Sequence, residues 1–248
     1  MSAHNDHPSN EKFVEWANSR TAWNVCTLAS IGTLNILSDN GSKKLSVLDI
    51  GGGTGKFASI LQYYANCTVD IVDPSSIAAK NSIASSNSRF FNNTFQSFQT
   101  NRQYDAIFLN LVLHHMISSS YNEQETYNIQ IEALRKARRL LNDGGALVVQ
   151  ENFYTGQFNS NLAGKLIYKL TSLKSLETIT RKMGANTAGE GVRFRNLREW
   201  QDMLEKSGFA ISNIGISPEW GNFLATWKKI LLFTKRADQG VIIAFKCQ

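Results

Sequence analysis

"VLDIGGGTGKFASIL", Val47 to Leu61, carries an apolar run into an acid, sets four glycines into positions 51–55, and continues as a helical pattern. A short β-branched run of this kind reads as a buried strand, and the pattern after it as a helix packed back onto that strand. What the loop between them holds decides the rest. A phosphate-cradling loop needs GxxxxGK followed by a hydroxyl residue. Gly55-Lys56 supplies the GK, but the first glycine position is Ile50 and the hydroxyl position is Phe57, so that reading fails. A dinucleotide site needs GxGxxG or GxGxxA directly after the strand. Gly53, Gly55 and Ala58 fit the second form. That frame lengthens the turn by two residues and leaves Asp49 beside an anionic pyrophosphate, so it remains a minor reading.

Outward from the loop, apolar runs recur at "LSVLDI", "TVDIVD", "YDAIFLNLVL" and "ALVVQENF", each bounded by turn residues. Helical patterns lie between them, "KFASILQYYA" after the first and "YNIQIEALRKARRLL" before the fourth, the latter with Ile131, Leu134, Ala137 and Leu141 on one face. "NDGG" stops that helix. Alternation at this spacing predicts an α/β fold with a doubly wound, mostly parallel sheet covered on both faces. Ligands of such sheets bind beyond the carboxyl ends of the strands, which directs attention to Asp49–Gly55, Asp73, Asn110–His115 and Gln150–Asn152.

The chain has 248 residues, 42% hydrophobic and 19% charged, with a net charge of +6. No apolar run reaches the length of a membrane span, and the N-terminus lacks a signal-peptide layout. Cys26, Cys67 and Cys247 form no CxxC pair, which argues against zinc and disulfides and suits a reducing cytoplasm. The positive charge favours an anionic substrate. Residues 1–10 read as a disordered tail and 11–43 as a helical cap carrying Phe13, Trp16 and Trp23. Residues 44–248 read as the main domain, with a helical lid inserted at about 156–195.

Taken in order, these motifs resemble class I S-adenosylmethionine-dependent methyltransferases of the small-molecule O-methyltransferase kind. "VLDIGGGTG" resembles their first motif, and "TVDIVDPS" the second strand with its ribose-binding acid. "RFFNNTFQSF" resembles the third strand and adenine loop, "YDAIFLNLVLHHM" the fourth strand, and "RLLNDGGALVVQENF" the following helix and fifth strand. The resemblance covers residues 44–154 and continues more weakly through "RFRNLREWQDMLEKSGF". It implies a seven-stranded Rossmann-like sheet and S-adenosylmethionine as cofactor, released as S-adenosylhomocysteine. Asp49, Gly51, Gly53 and Gly55 would take the methionine end. Asp73 would take the ribose, with Asp70 as a rival inside the strand. Thr94, Phe95 and Asn110 would complete the cofactor site. An acid usual in the adenine loop is replaced here by Asn93 to Gln96.

The acceptor is expected to be a small molecule or peptide, anionic and methylated at a hydroxyl or carboxylate oxygen. An N-methyltransferase, an RNA methyltransferase and an inactive cofactor-binding subunit are the alternatives. The (N/D)PP(Y/F) tetrad is missing after the fourth strand, where the chain reads Asn110-Leu111-Val112-Leu113, and nucleic acid is not expected. Nor is a metal, although Glu151-Asn152 faintly resembles a ligand pair. His115, then His114, is the candidate general base, with Glu151 as a rival. Arg193 and Arg195 are candidates to clamp an acidic acceptor, and Tyr168 to line its pocket. Arg135, Lys136, Arg138 and Arg139 read as a solvated helix face.

Overall fold

The structure, a computed structural model, describes residues 25–83, 85–182, 184–185, 187–217 and 224–247. The expected tail at 1–10 and the part of the cap that carries Phe13, Trp16 and Trp23 lie outside the described residues. The cap's later part forms helix α1, Val25–Leu37. Then follow β1 (Leu45–Ile50), α2 (Lys56–Tyr64), β2 (Cys67–Val72), the short α3 (Ser76–Lys80), β3 (Ser88–Phe91) and β4 (Tyr104–Asn110). The second half comprises α4 (Glu123–Leu140), β5 (Leu141–Gly156), α5 (Leu162–Ser172), α6 (Glu177–Lys182), α7 (Leu197–Lys206), β6 (Phe209–Ile216), α8 (Thr226–Leu231) and β7 (Thr234–Lys246).

The seven strands form one sheet in the order β3-β2-β1-β4-β5-β7-β6. All neighbours are parallel except β7, which runs antiparallel to β5 and β6. From β1 the chain winds outward to β3, then returns so that β4 pairs with the other edge of β1. The strand order therefore reverses between β1 and β4, and the crevice beyond their carboxyl ends is where this architecture binds ligands.

The sequence dictates this winding through apolar faces. β1 and β2 are buried almost throughout, as parallel strands covered on both sides must be. Leu48, Ile50, Ile107 and Leu109 point to a core shared with Leu134, Trp200 and Met203. Leu45, Val47, Ala106 and Phe108 point to the opposite core with Leu34, Phe57 and Leu61. α4 buries Ile131, Leu134 and Ala137, and Asn122 caps its start by accepting from the Glu125 N–H. α7 starts in a capping box of Asn196 and Glu199 and is followed by Gly208 at φ +82°.

Two expectations change. The basic residues of α4 are not simply a solvated face. Lys136 Nζ donates to the carbonyls of Phe95 and Phe98, and Arg138 donates to those of Gly208 and Cys247. Carbonyls at loop and strand ends lack ladder partners, and long cationic side chains satisfy them. The last strand, whose apolar run "VIIAFK" covers only residues 241–246, also begins much earlier, at Thr234. β5 and β7 pair from Ala146↔Phe245 to Gly156↔Thr234, well past the last β4–β5 pair, Asn110↔Gln150. "TKRADQG" is too polar to announce a strand; its partner strand makes it one.

Candidate active site at the carboxyl ends of β1, β4 and β5

Gly51, Gly53 and Gly55 all adopt positive φ, at +70°, +54° and +87°, which L side chains rarely adopt. Gly52 is required for another reason. A Cβ there would fall 2.4 Å from Asp49 Oδ2 and 2.8 Å from the Ile71 side chain. The loop is thus folded down onto Asp49. That carboxyl is completely buried, and neither oxygen has a hydrogen-bond partner among the described residues. Burial, and then the charge of Asp73, push it up to about 7.

This has a consequence for stability. Asp49 binds its proton more tightly in the folded than in the unfolded chain, so its contribution is fully present below about pH 4 and declines as pH rises towards 7. Asp49→Asn removes the charge, and the cofactor-free protein is expected to gain ~2 kcal/mol at pH 8, the buried amide retaining part of the desolvation cost. Denaturant unfolding of both proteins at pH 5 and pH 8 checks this. A gain at pH 5 as large as at pH 8 would show that the charge is not the cause.

Asp73 closes the loop from the side. Its Oδ2 accepts from the Gly53 N–H and its Oδ1 from the Ser75 N–H, both at 2.9 Å. Desolvation raises its pKa while these two bonds oppose the rise. The rival acid, Asp70, is taken up elsewhere: Arg89 grips it with two nitrogens, and Arg102 and the Tyr104 hydroxyl also donate to it.

Across the crevice, β4 ends in a strained turn. Leu111, not a glycine, sits at φ +53° and donates its N–H to Gln150 O at 2.8 Å. Residues in this region cost energy and cluster at functional sites. The turn lays Val112 over Gly51, leaving no room for a Cβ there. A single 3-10 turn, Leu113–His115, follows. His114 is buried, with Nδ1 2.7 Å from Oε2 of a fully buried Glu151 on β5. Its backbone N–H reaches the other Glu151 oxygen at 3.3 Å. One neighbour of its ring is Phe194, stacked at 4.5 Å, and the other is His115 at 4.2 Å. Gln130 Nε2 holds Leu113 O, and Arg193 N–H holds His114 O. With Glu151 as the acceptor of both contacts, the hydrogen-bond network assigns the proton to Nδ1 and leaves a lone pair on Nε2.

His115 differs. The residue is exposed. Desolvation by the protein around it, with His114 beside it, holds its imidazole well below the usual range. The two histidines expected as rivals therefore have distinct settings, and among the described residues only His114 has an orienting carboxylate. Glu151, expected as a rival base, is instead its partner.

The other expected site residues are placed unevenly. Asn110 closes β4 at the crevice, half-buried. Thr94 is exposed and caps a turn through Ser97. Phe95 is a correction: its ring lies in the core and under Lys136, not open to an adenine. Tyr168 is another. It is buried, its hydroxyl 2.8 Å from Thr126 Oγ1, where it fastens α5 to α4. Arg193 and Arg195 are also corrected. Both are buried and held by Glu123 and Glu199, and Arg195 donates to Gln130 at 2.6 Å. Arg193 is engaged through all three nitrogens, whereas Arg195 keeps one, Nη2, buried and without a hydrogen-bond partner among the described residues.

Phe194, Gln130 and the left-handed turn at Leu111 were not anticipated, although Leu111 lies in the stretch Asn110–His115 singled out from the sequence. Gln130 had a signal, a polar residue on the buried stripe of α4 beside Thr126 and Leu134. Phe194 had none, because its neighbours are far away in sequence. Among the described residues, no group of three or more His, Cys, Asp or Glu could hold a metal ion.

Residues 27–213 match a protein family described as "Methyltransferase domain". The chain belongs to the S-adenosylmethionine-dependent methyltransferase family. Solved structures share the fold of this methyltransferase at low identity. The N-methyltransferase NodS from Bradyrhizobium japonicum WM9, in complex with S-adenosyl-L-homocysteine, is 13% identical at a TM-score of 0.55, covering 96% of this chain and 98% of that one. An O-methyltransferase family protein from Burkholderia thailandensis is 14% identical at 0.55, covering 96% and 61%. The [4+2]-cyclase SpnF is 13% identical at 0.57, covering 89% and 82%. No curated protein matches the sequence. The three structures differ in reaction, so the fold does not name the acceptor.

S-adenosylmethionine fits the residues present. An ammonium is what a buried carboxyl without a donor requires, and the glycine cradle admits a ligand close to the backbone. Methyl transfer itself is supplied by that cofactor when bound.

Proposed function

We propose that this methyltransferase methylates a hydroxyl oxygen of a small molecule, with His114 as general base and Glu151 as the residue that orients it. The buried 2.7 Å contact between them carries the reading. Nδ1 is occupied by the carboxylate, so Nε2 is the nitrogen free to take the acceptor's proton as the oxygen attacks. The pair stands at the ends of β4 and β5, next to the turn that packs on the glycine loop. Alignment supplies most of the remaining rate in such a displacement. A carboxylate acceptor needs no base, and the engaged lid arginines no longer argue for an anionic one. Residues 11–37, of which 11–24 lie outside the described residues, and 156–195 would roof the acceptor. The free thiols at Cys67 and Cys247 suit the cytoplasm.

The test is transfer of labelled methyl groups to panels of hydroxyl, carboxylate and amine compounds. Selective labelling of hydroxyl compounds is expected. Labelling confined to amines or carboxylates would sink the proposal. In the same reading the methionine end of the cofactor lies at Gly51–Gly55 with Asp49, and the ribose on Asp73. Asp73→Ala is expected to weaken S-adenosylhomocysteine binding by ~1–3 kcal/mol, the cost of hydrogen bonds lost at a buried group. Calorimetry showing unchanged affinity would remove Asp73 from the site.

A further inference from the structure

Past the last β4–β5 pair, the β5–β7 ribbon leaves the sheet. It continues through residues 151–156 of β5. At the usual rise per residue, this carries its end ~20 Å beyond the carboxyl end of β4. The ribbon therefore projects on the acceptor side of the sheet. Two segments cap it, a 3-10 turn at Gln157–Asn159 and α8 with Phe233. They are tied together, since Gln157 N–H donates to Phe233 O at 3.1 Å.

The outer side of this tip is apolar. Phe158 is 99% exposed, Ile230 74%, Phe233 56% and Trp227 53%, with Leu231 and Leu162 exposed beside them. Trp227, Ile230 and Leu231 share one helix face by their i, i+3, i+4 spacing. Leu232 alone turns inward, to a small core with Tyr154 and Ile167. Phe158 and Phe233 are both held at positive φ, +53° and +50°. A cluster of this kind on a chain surface marks an interaction site.

Its surroundings are basic. Lys228, Lys229 and Lys235 flank the cluster in "TWKKILLFTKR". Among the described residues none of these three is in an ion pair, whereas Arg236 is matched by Asp238 at 2.6 Å. Lys228 Nζ stands 5.4 Å over the Trp227 ring.

We infer that this tip docks the chain on an anionic lipid surface. The aromatic and aliphatic side chains enter the boundary between headgroups and acyl chains, and the lysines meet the lipid phosphates. Charge complementarity selects this occupant. A second copy of the chain in a two-fold contact would bring lysines against lysines. A nucleic acid would match the lysines but leave Ile230 and Leu231 in water. No helix among the described residues is long and apolar enough to cross a membrane, so the contact is interfacial and reversible. Docking turns the acceptor side of the sheet toward the lipid.

The experiment is flotation of the full chain with vesicles, read without turnover and so independent of the proposed acceptor chemistry. Vesicles of phosphatidylcholine mixed with phosphatidylglycerol are expected to carry at least ~10-fold more protein than phosphatidylcholine alone, with the difference lost at high salt. The double variant Phe158→Ser, Trp227→Ser changes only exposed positions. It is expected to lose ~10-fold in flotation, while keeping its thermal midpoint and S-adenosylhomocysteine binding. Folded protein that stays out of the anionic vesicle fraction overturns the inference, as does a double variant that floats like the parent. A dimer dissociated by Phe158→Ser, without vesicle binding, overturns it in favour of self-association.

Discussion

Replacing His114 with Ala is expected to lower turnover by ~10²–10⁴-fold, the span usual for removing a general base. Glu151→Gln keeps the volume and a hydrogen-bond donor and acceptor but loses the charge behind Nδ1. It is expected to reduce kcat by at least ~10²-fold, with little change in acceptor KM or in S-adenosylhomocysteine affinity. The separation of kcat from binding matters because Glu151 is fully buried. A merely structural role would show as lost stability and lost cofactor affinity together. His115→Ala should cost much less, since no carboxylate among the described residues orients its ring. If both His114→Ala and Glu151→Gln turn over like the parent, the acceptor is already ionised when it binds and the hydroxyl reading falls. Thermal unfolding of each variant must accompany the kinetics.

The second large effect is on stability. Arg193 is fully buried, with Nε on both oxygens of Glu123 at 2.8–2.9 Å and Nη2 3.3 Å from Glu199. Nη1 also donates to Phe194 O. Arg193→Ala strips Glu123 and Glu199 of a shared cation and leaves a void between α4, α5 and α7. Because Glu123 is 40% exposed and regains water when the cation is removed, the cost is expected to be ~2–3 kcal/mol, below the range for a wholly buried pair. Arg193→Met, which fills the volume without the charge, should recover part of that loss. Denaturant midpoints read both. A residue reserved for clamping an acceptor would show the opposite pattern, with stability untouched and KM raised; a parental midpoint for Arg193→Ala would restore that role. Because Arg193 N–H holds His114 O, the Ala variant is also expected to slow turnover through the displaced turn.

These two cases show where reading the sequence stopped. Asp49 and the glycines announced themselves, because a ligand approached by backbone needs glycine at a strand-to-helix turn, and that need is local. The alternation of β-branched runs with helical stripes was equally local, and it carried the winding of the sheet. The arginines were different. "RFRN" gives a pattern of charge but not the carboxylates opposite it, and Glu123 lies on another helix, seventy residues away.

The same limit applied to the histidines. "LHH" names two candidate bases without distinguishing them. The turn after Leu111 aims one ring at Glu151, 37 residues later, and leaves the other residue exposed. Phe95 and Tyr168 reversed their expected roles for a related reason. An aromatic residue next to a site motif faces the ligand or the core according to how neighbouring helices pack, and side-chain period alone does not fix which.

Sequence alone determined the order of strands and helices, the end of the sheet at which such folds bind ligands, and the glycines that turn the chain from β1 into α2. Each follows from periodicity or from backbone freedom, which are properties of a few consecutive residues. The tertiary structure decided which histidine has a carboxylate behind it, which arginines are already paired, and that the β5–β7 ribbon ends in an exposed aromatic tip. Those depend on contacts between residues dozens of positions apart, made only once β4, β5 and β7 lie side by side.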